Sequence, residues 1–484
     1  MRFLSVITLA LLSALSAPPA LKLAPCRLPD FANEVRCGTY EVFENRAARS
    51  GRRIGLRVVV IPAHGKPVSP DPIVFFAGGP GGSPIEMAPL LADKWAAALL
   101  HRDLLLIDPR GVGGSHPLAC PPPDGTGGGE APSEGFLDPA AVRRCRDSLA
   151  KDNDFTQYTT DATVDDADEV RAALGYHKVN LTAASYGTRL ALDYLRRHPG
   201  SVRTLRLTSV VPPDGRTLTL LAPNAQAAFD HVVAACAAEA PCHAAFPDPR
   251  ADLDAVLKRL SAAPEMVSIR DREGKERNVR ISHDDAVEAV RFLLMGPSGV
   301  RELPLLLHRA AAGDLGPFGR WADETQRISL AGPPDGHWLS VSCAETIPVL
   351  DRAEAERLAR GTFVGDLRLR LQLAACAEWP AARIAPGFFE PVRSTVPVLI
   401  FAGENDPATP LAGAQHVART LPHSRILIVP GGGHTFTGLP GAECLDQLTA
   451  DFIARGSAEG LDLESCRKAI RRLPFATSPA SPGL

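Results

Sequence analysis

A serine stands where an apolar stretch gives way to a helical pattern. Residues 179–189 read Val-Asn-Leu-Thr-Ala-Ala-Ser-Tyr-Gly-Thr-Arg, which places Ser185 among small neighbours. This pattern predicts a nucleophile elbow, a sharp strand-to-helix turn that presents the serine hydroxyl to a reacting carbon. The helix behind it would aim backbone N–H groups at developing negative charge. Ala183 replaces the glycine usual at that position, which adds a methyl group where strand and helix cross.

Two more candidates for chemistry follow apolar stretches late in the chain. One predicted strand runs into Asp406 and the next into a glycine run that ends at His434. Reactive residues collect at the carboxyl ends of strands in open parallel sheets. His434 would accept the Ser185 proton and return it to a leaving group, while Asp406 would orient the imidazole and stabilise its charge. Glu404 is the rival for the acid. The order serine, aspartate, histidine is that of the α/β hydrolases.

A glycine-rich loop, Ala-Gly-Gly-Pro-Gly-Gly-Ser at 77–83, directly follows the predicted strand at 73–76. It contains neither of the glycine patterns that bind nucleotide phosphates. Glycines let backbone N–H groups approach a negatively charged oxygen without interference from side chains. We therefore expect an oxyanion hole made by the N–H groups of Gly79 and Tyr186, the residue after the serine.

The composition is that of an ordinary globular protein. The 484 residues are 45% hydrophobic and 22% charged, and the formal net charge is −3. The absence of a basic excess argues against nucleic acid as a partner. No CxxC motif occurs and no cysteine couple has a histidine at zinc spacing, so a zinc site is disfavoured.

The N-terminus predicts export. A short apolar run after Arg2 ends in small residues suited to signal-peptidase cleavage, and it is shorter than the ~20 residues that span a bilayer. Ten cysteines follow it, an even number typical of an oxidising compartment. Nearest-neighbour disulfides are the simplest prediction: Cys26 with Cys37, Cys120 with Cys145, Cys236 with Cys242, Cys343 with Cys376, and Cys444 with Cys466. The expected location is extracellular or periplasmic, with no membrane attachment after signal cleavage.

The alternation of strands and helices predicts an α/β fold with a mostly parallel sheet and helices on both faces. The alternation breaks in the middle of the chain, where helical patterns predominate. We therefore predict four segments: a signal peptide (1–17), the first part of an α/β-hydrolase core (18–211), a largely helical inserted cap (212–389) and the second part of the core (390–484).

Two local features carry more specific predictions. The turn at 108–115 contains Asp108 and Arg110, which are expected to pair with each other and to brace neighbouring loops, with Ser115 structural. The sequence Thr-Val-Asp-Asp at 163–166 reads as a capping box that begins the helix leading to the serine strand.

Several motifs together resemble the prolyl and tripeptidyl aminopeptidase family of α/β hydrolases, most closely its secreted, tripeptidyl-aminopeptidase-like branch. The resemblance covers nearly the whole mature chain and includes late cysteines. The motifs are Gly-Gly-Pro-Gly-Gly at 78–82, Asp-x-Arg-Gly-x-Gly-x-Ser at 108–115, Ala-Ser-Tyr-Gly-Thr at 184–188, Gly-x-x-Asp-Pro-x-Thr-Pro at 403–410 and Gly-Gly-His at 432–434.

The resemblance implies a serine exopeptidase that acts on peptides with a free N-terminus, through an acyl-enzyme and without a metal or organic cofactor. Such enzymes read the substrate ammonium with carboxylates from the cap. The segment Ser-Val-Ser-Cys-Ala-Glu at 340–345 is similar to a family segment late in the cap, which makes Glu345 the candidate anchor. A surface glutamate on a disulfide-bounded loop is the alternative.

Two other functions stay open on the residues alone. The same triad serves secreted esterases and lipases, since the fold hosts many acyl transfers. A non-catalytic binding module on the same scaffold is the third possibility. Loss of a triad residue would favour that module, and all three residues are present.

Overall fold

The computed structural model describes residues 21–121, 137–270, 274–325 and 335–478. The predicted signal peptide, residues 1–17, lies outside these ranges, so its cleavage stays a prediction. Among the described residues, no helix combines the length and apolar character needed to cross a bilayer.

One nine-stranded sheet carries the fold, in the order β1-β2-β3-β5-β4-β6-β7-β10-β11. The pairs β1–β2, β2–β3 and β3–β5 are antiparallel, and all remaining neighbours are parallel. Its strands are β1 (Ala24–Cys26), β2 (Val35–Phe43), β3 (Arg53–Ile61), β4 (Ile73–Phe76), β5 (Leu104–Ile107), β6 (Val179–Ala184), β7 (Val202–Thr208), β10 (Val398–Gly403) and β11 (Ser424–Val429). The carboxyl ends of β6, β10 and β11 therefore lie along one edge of the sheet.

Helices cover both faces of this sheet. Side chains of successive residues in a strand point to opposite faces, so apolar strands such as β4 and β5 supply two separate cores. One core packs against α3 (Thr160–Ala173), α4 (Tyr186–Arg197) and α14 (Leu411–Ala418). The other packs against α1 (Ala88–Lys94), α15 (Cys444–Arg455) and α16 (Leu463–Ala469). The predicted fold class is confirmed.

Residues 209–397 connect β7 to β10, which are adjacent parallel strands. This connection has a core of its own and contains the predicted cap range, 212–389. Its elements are α5 (Thr217–Ala238), α6 (Ala240–Ala245), α7 (Pro249–Ala262), β8 (Glu265–Arg270), β9 (Glu276–Ile281), α8 (His283–Leu293), α9 (Pro297–Ala311), α10 (Gly316–Thr325), α11 (Gly336–Glu345), α12 (Arg352–Ala359) and α13 (Leu367–Ala377). One further helix, α2 (Pro139–Leu149), precedes α3.

All ten cysteines form disulfides in the predicted nearest-neighbour pairs. Cys343–Cys376 ties α11 to α13 within the connection, and Cys444–Cys466 ties α15 to α16 on the sheet. The disulfides therefore link neighbouring elements and restrict the conformations open to the unfolded chain.

Two local predictions are wrong. Asp108 and Arg110 do not pair: the buried Arg110 guanidinium binds Asp166 of α3 through two nitrogens, at 2.7 and 2.8 Å. The predicted capping box at 163–166 lies inside α3, which begins one turn earlier. Thr159, just before this start, has an extended backbone, and its hydroxyl accepts from the N–H of Ala162, three residues later. Thr159 is therefore the N-cap.

Candidate active site

Ser185 occupies the predicted elbow. It lies between β6 and α4 with φ +55° and ψ −128°, a strained conformation for a residue with a side chain. Gly187 allows α4 to begin beside the end of β4, because a Cβ at that position would lie 2.1 Å from the carbonyl oxygen of Phe76. The alanine at 183 is fully buried in the core and leaves the turn in place. This backbone conformation therefore directs the serine hydroxyl away from the chain at the carboxyl end of β6.

His434 and Asp406 meet Ser185 from the ends of β11 and β10. His434 Nε2 lies 2.9 Å from Ser185 Oγ, and His434 Nδ1 lies 2.9 and 3.1 Å from the two carboxylate oxygens of Asp406. An ionised carboxylate only accepts, so Nδ1 carries the proton and Nε2 is free to accept from the serine hydroxyl. The three predicted residues thus form one hydrogen-bonded line, serine to histidine to aspartate.

Asp406 is held in its ionised form. Burial acts to raise the pKa of this carboxyl, but His434 and donors from Thr409 outweigh it and hold the pKa below its usual value. Thr409 Oγ1 donates to Asp406 Oδ2 at 2.7 Å, while the N–H groups of Ala408 and Thr409 donate to Oδ1 at 2.8 and 2.9 Å. Thr409 Oγ1 also lies 3.1 Å from the imidazole Nδ1.

Thr409 had no predicted role. The available signal was a threonine three residues after the aspartate, a spacing at which an Asp side chain commonly binds following backbone N–H groups. Glu404, the predicted rival for the acid, is exposed, and its carboxylate accepts from the N–H of Gly431 at 2.9 Å. The structure brings Asp406 and not Glu404 to the imidazole.

The glycine-rich loop lies against the serine. A Cβ built on Gly78 would be 3.0 Å from Ser185 Cβ and 3.5 Å from Ser185 Oγ, so a side chain at position 78 would press on the serine. Neither the N–H of Gly79 nor that of Tyr186 donates to any acceptor in the described ranges. Both groups thus have a free proton, which the predicted oxyanion hole requires.

The turn after β5 supports that loop. Ser83 Oγ donates to Asp108 Oδ1 at 2.6 Å, and the other oxygen of Asp108 accepts from Gly114 N–H at 2.9 Å. Ser115 is buried, accepts from Arg57 N–H at 2.8 Å and donates to the Asp108 carbonyl at 2.7 Å. Its hydroxyl is thus fully engaged in bracing the turn.

Glu345, the candidate amine anchor, is the last residue of α11 and is only 7% exposed. Both its oxygens accept from one residue of α3: Oε1 from Thr160 N–H at 2.8 Å and Oε2 from Thr160 Oγ1 at 2.7 Å. Thr160 Oγ1 also lies 2.7 Å from the phenol oxygen of Tyr186. Burial raises the pKa of Glu345 to about 7, although Arg189 and the bonds from Thr160 oppose the rise. The alternative reading as a surface glutamate is therefore wrong.

Asp335, at the other end of α11, was not predicted as a site residue. Its Oδ1 caps the helix by accepting from His337 and Trp338 N–H groups at 2.8 and 3.0 Å. Its Oδ2 lies against the glycine-rich loop, since a Cβ on Gly81 would be 2.3 Å from it. Within the described residues Oδ2 has no hydrogen-bond or ion-pair partner, and burial raises the pKa of this carboxyl.

In the described ranges, no three His, Cys, Asp or Glu side chains converge as ligands of a metal ion.

Comparison with known families gives two matches. Residues 71–286 match the family described as "alpha/beta hydrolase fold", and residues 362–466 match the one described as "TAP-like protein". The two segments contain, respectively, Ser185 with the glycine-rich loop, and Asp406 with His434.

Similar curated proteins include three whose names state an activity. Serine protease Hip1 of Mycobacterium tuberculosis is 27% identical over 454 residues, which cover 87% of this chain and 85% of that protein. Tripeptidyl aminopeptidase of Streptomyces lividans is 26% identical over 480 residues, which cover 90% of this chain and 85% of that protein. Carboxylesterase B of M. tuberculosis is 26% identical over 461 residues, which cover 87% of this chain and 84% of that protein.

These similarities extend over most of each chain and agree with the sheet order, the elbow and the family matches. The chain has the α/β-hydrolase fold, and the proteins similar to it over most of their length include ones named serine protease and tripeptidyl aminopeptidase.

Proposed function

We propose that this protein is a secreted serine exopeptidase that cleaves single residues or short peptides from the free N-terminus of peptide substrates. The observation that carries the proposal is the line from Ser185 Oγ to His434 Nε2 to Asp406, with both links at 2.9 Å. The names of the relatives, serine protease and tripeptidyl aminopeptidase, support peptide bonds as the target.

The chemistry follows from the positions of the groups. Ser185 Oγ attacks the peptide carbonyl carbon while His434 Nε2 takes the hydroxyl proton, and Asp406 stabilises the imidazolium. The carbonyl oxygen becomes an oxyanion facing the N–H groups of Gly79 and Tyr186. When the C–N bond breaks, His434 returns the proton to the leaving amine. A water molecule, deprotonated by His434, then hydrolyses the acyl-enzyme and restores the serine hydroxyl.

Recognition of a free amine needs a carboxylate near the serine. The two oxygens of Glu345 already accept from Thr160, so a substrate ammonium would have to displace those bonds. Asp335 Oδ2 is unpartnered in the described residues and touches the glycine-rich loop at Gly81. We therefore favour Asp335 over Glu345 as the anchor, because a desolvated carboxylate gains most from a charged partner.

The proposal is tested with chromogenic amides of proline, alanine and Ala-Ala-Pro, beside N-blocked versions of each. Wild type should cleave only the free-amine substrates, and Ser185→Ala should abolish cleavage. Asp335→Asn should raise KM for free-amine substrates at least tenfold, because the substrate ammonium loses its charged partner. Equal cleavage of blocked and free amides would overturn the exopeptidase assignment.

Ester hydrolysis is the second candidate, because one similar protein is named a carboxylesterase and the same three residues serve both reactions. A short acyl ester without an amine distinguishes the two. Turnover of the ester alone, dependent on Ser185, would make the protein an esterase. Absence of any Ser185-dependent turnover would favour a binding module.

Export is proposed from the N-terminal sequence and from the five disulfides, which form and persist in oxidising compartments. N-terminal sequencing of the protein recovered outside the cytoplasm should begin near Ala17 or Pro18. Recovery of the full-length chain in the reducing cytoplasm, with free thiols, would contradict it.

A further inference from the structure

Glu345 is a buried carboxyl that the mechanism above does not use. It lies at the C-terminal end of α11, in the connection between β7 and β10, yet its two hydrogen-bond donors belong to Thr160 at the start of α3. The first N–H groups of a helix have no partner within that helix, so Glu345 satisfies one of them and lies at the positive end of the α3 dipole.

The contact continues to the nucleophile elbow. Thr160 has a single hydroxyl proton, and when Glu345 is ionised, above its pKa of about 7, this proton is donated to Glu345 Oε2 at 2.7 Å. Thr160 Oγ1 also contacts the Tyr186 phenol oxygen at 2.7 Å. Since the Thr160 proton is already used, Tyr186 must be the donor in this hydrogen bond. The result is a one-way chain of donors from Tyr186 to Thr160 to Glu345, in which all three residues are buried.

Tyr186 is the residue after the nucleophile, and its backbone N–H is one of the two oxyanion donors. The phenol of Tyr186 is held by its hydrogen bond to Thr160, and the backbone of Tyr186 is the first residue of α4. Displacing the phenol would therefore tilt the first turn of α4 and the N–H with it. Oxyanion donors act through distances of about 3 Å, so small tilts reduce transition-state stabilisation.

We propose that Glu345 is a positioning residue: through Thr160 it holds the Tyr186 side chain, and thereby the oxyanion N–H of Tyr186, in place. The charged and titratable groups around it are Arg189 and Tyr186 of α4 and Asp161 of α3. Arg189 does not bind Glu345 directly, since it donates to the carbonyl of Phe388 and stacks on that ring at 3.9 Å. Thr160 is thus the only direct hydrogen-bond partner of the carboxylate in the described residues.

The proposal rests on the proposed hydrolase function, and the test separates the two. The readout is the rate at which a fluorophosphonate labels Ser185, because its P=O oxygen occupies the oxyanion position whether the natural substrate is an amide or an ester. Failure of wild type to label at Ser185 would refute the hydrolase function, and with it this proposal.

Given labelling of wild type, Thr160→Val removes the hydroxyl and keeps the shape and the backbone N–H. We expect labelling and kcat to fall about tenfold, less than the 10²–10³-fold loss when an oxyanion donor is deleted. KM should stay within about twofold. Thr160→Ser should recover most of the lost rate. Tyr186→Phe should match Thr160→Val, and the double variant should be no slower than either, because both remove the same bond.

Thr163→Val is the matched control. Thr163 is also buried in the first turns of α3, but its hydroxyl donates to the carbonyl of Thr159 at 2.9 Å and not to Tyr186. If Thr160→Val slows Ser185 no more than Thr163→Val does, the positioning role is refuted. A variant Glu345→Gln whose KM rises only for free-amine substrates, with unchanged labelling, would also refute it and would restore the direct anchor.

Discussion

Replacing Glu345 by glutamine should change how the stability of the protein depends on pH. Burial raises the pKa of this carboxyl from an ordinary 4.5 to about 7 in the folded protein. Between these values the native carboxyl keeps a proton that the unfolded one has lost, so wild-type stability falls as pH rises. Each pH unit amounts to about 1.4 kcal/mol, which gives about 3 kcal/mol over the whole interval.

Glutamine cannot ionise, so the variant does not lose stability in this way as the pH rises. The free energy of unfolding of Glu345→Gln relative to wild type should increase by about 3 kcal/mol between pH 4.5 and 7 and stay level above pH 7. The neighbours Arg189 and Asp161 are the same in both proteins and largely cancel in the difference. The lost bond from Thr160 shifts the whole difference curve without changing its slope.

Urea unfolding at half-unit steps from pH 4 to pH 8.5, with the disulfides intact, measures the difference directly. Glu356→Gln is the control, because the Glu356 side chain is 44% exposed and its carboxylate pairs with Arg352 at 2.7 Å. We expect a larger slope for Glu345→Gln than for Glu356→Gln. A flat curve for Glu345→Gln would mean that the carboxyl has the same pKa in the native and unfolded states, and would refute the argument from burial.

Three further predictions concern the site. Asp406→Asn should lower kcat by about 10⁴, whereas Glu404→Gln should leave it within twofold; the reverse result would exchange the two carboxylates in the mechanism. Thr409→Val should lower kcat about tenfold and move the acidic limb of the kcat–pH profile to higher pH, because Asp406 loses the hydroxyl donor that helps to keep it ionised. Gly187→Ala should lose about 1–3 kcal/mol of stability through the clash with the Phe76 carbonyl at the end of β4, while Gly200→Ala, which meets nothing within 4 Å, should be near neutral in thermal unfolding.

The residues at the strand ends were accessible from sequence because each depends on a local pattern. A buried strand followed by a turn residue marks Ser185, Asp406 and His434 separately, although the last lies 249 positions from the first. The common carboxyl edge of a parallel sheet then supplies their convergence. The 2.9 Å distances and the role of Thr409 depend on loop geometry after β10, which no periodicity encodes.

Contacts made by long side chains across elements were not accessible in this way. Arg110 binds Asp166 and not the nearby Asp108. An arginine side chain is long enough to contact a carboxylate on the helix that packs over the turn, and the identity of that helix depends on the tertiary structure. The start of α3 is a similar case. Threonines at 159 and 163 could both cap a helix, and the earlier start is reinforced by Glu345, which accepts from the Thr160 N–H across 185 positions of sequence.

Helix α11, in the connection between β7 and β10, contacts both parts of the proposed oxyanion site. Asp335 at its N-terminus touches the glycine-rich loop that carries Gly79, and Glu345 at its C-terminus holds Tyr186 through Thr160. A ten-residue helix spans about 15 Å, so one rigid element fixes the separation of these two contacts. Any shift of α11 along its axis would move both contacts together. Since Cys343–Cys376 ties this helix to α13, the disulfide should protect catalytic geometry as well as stability.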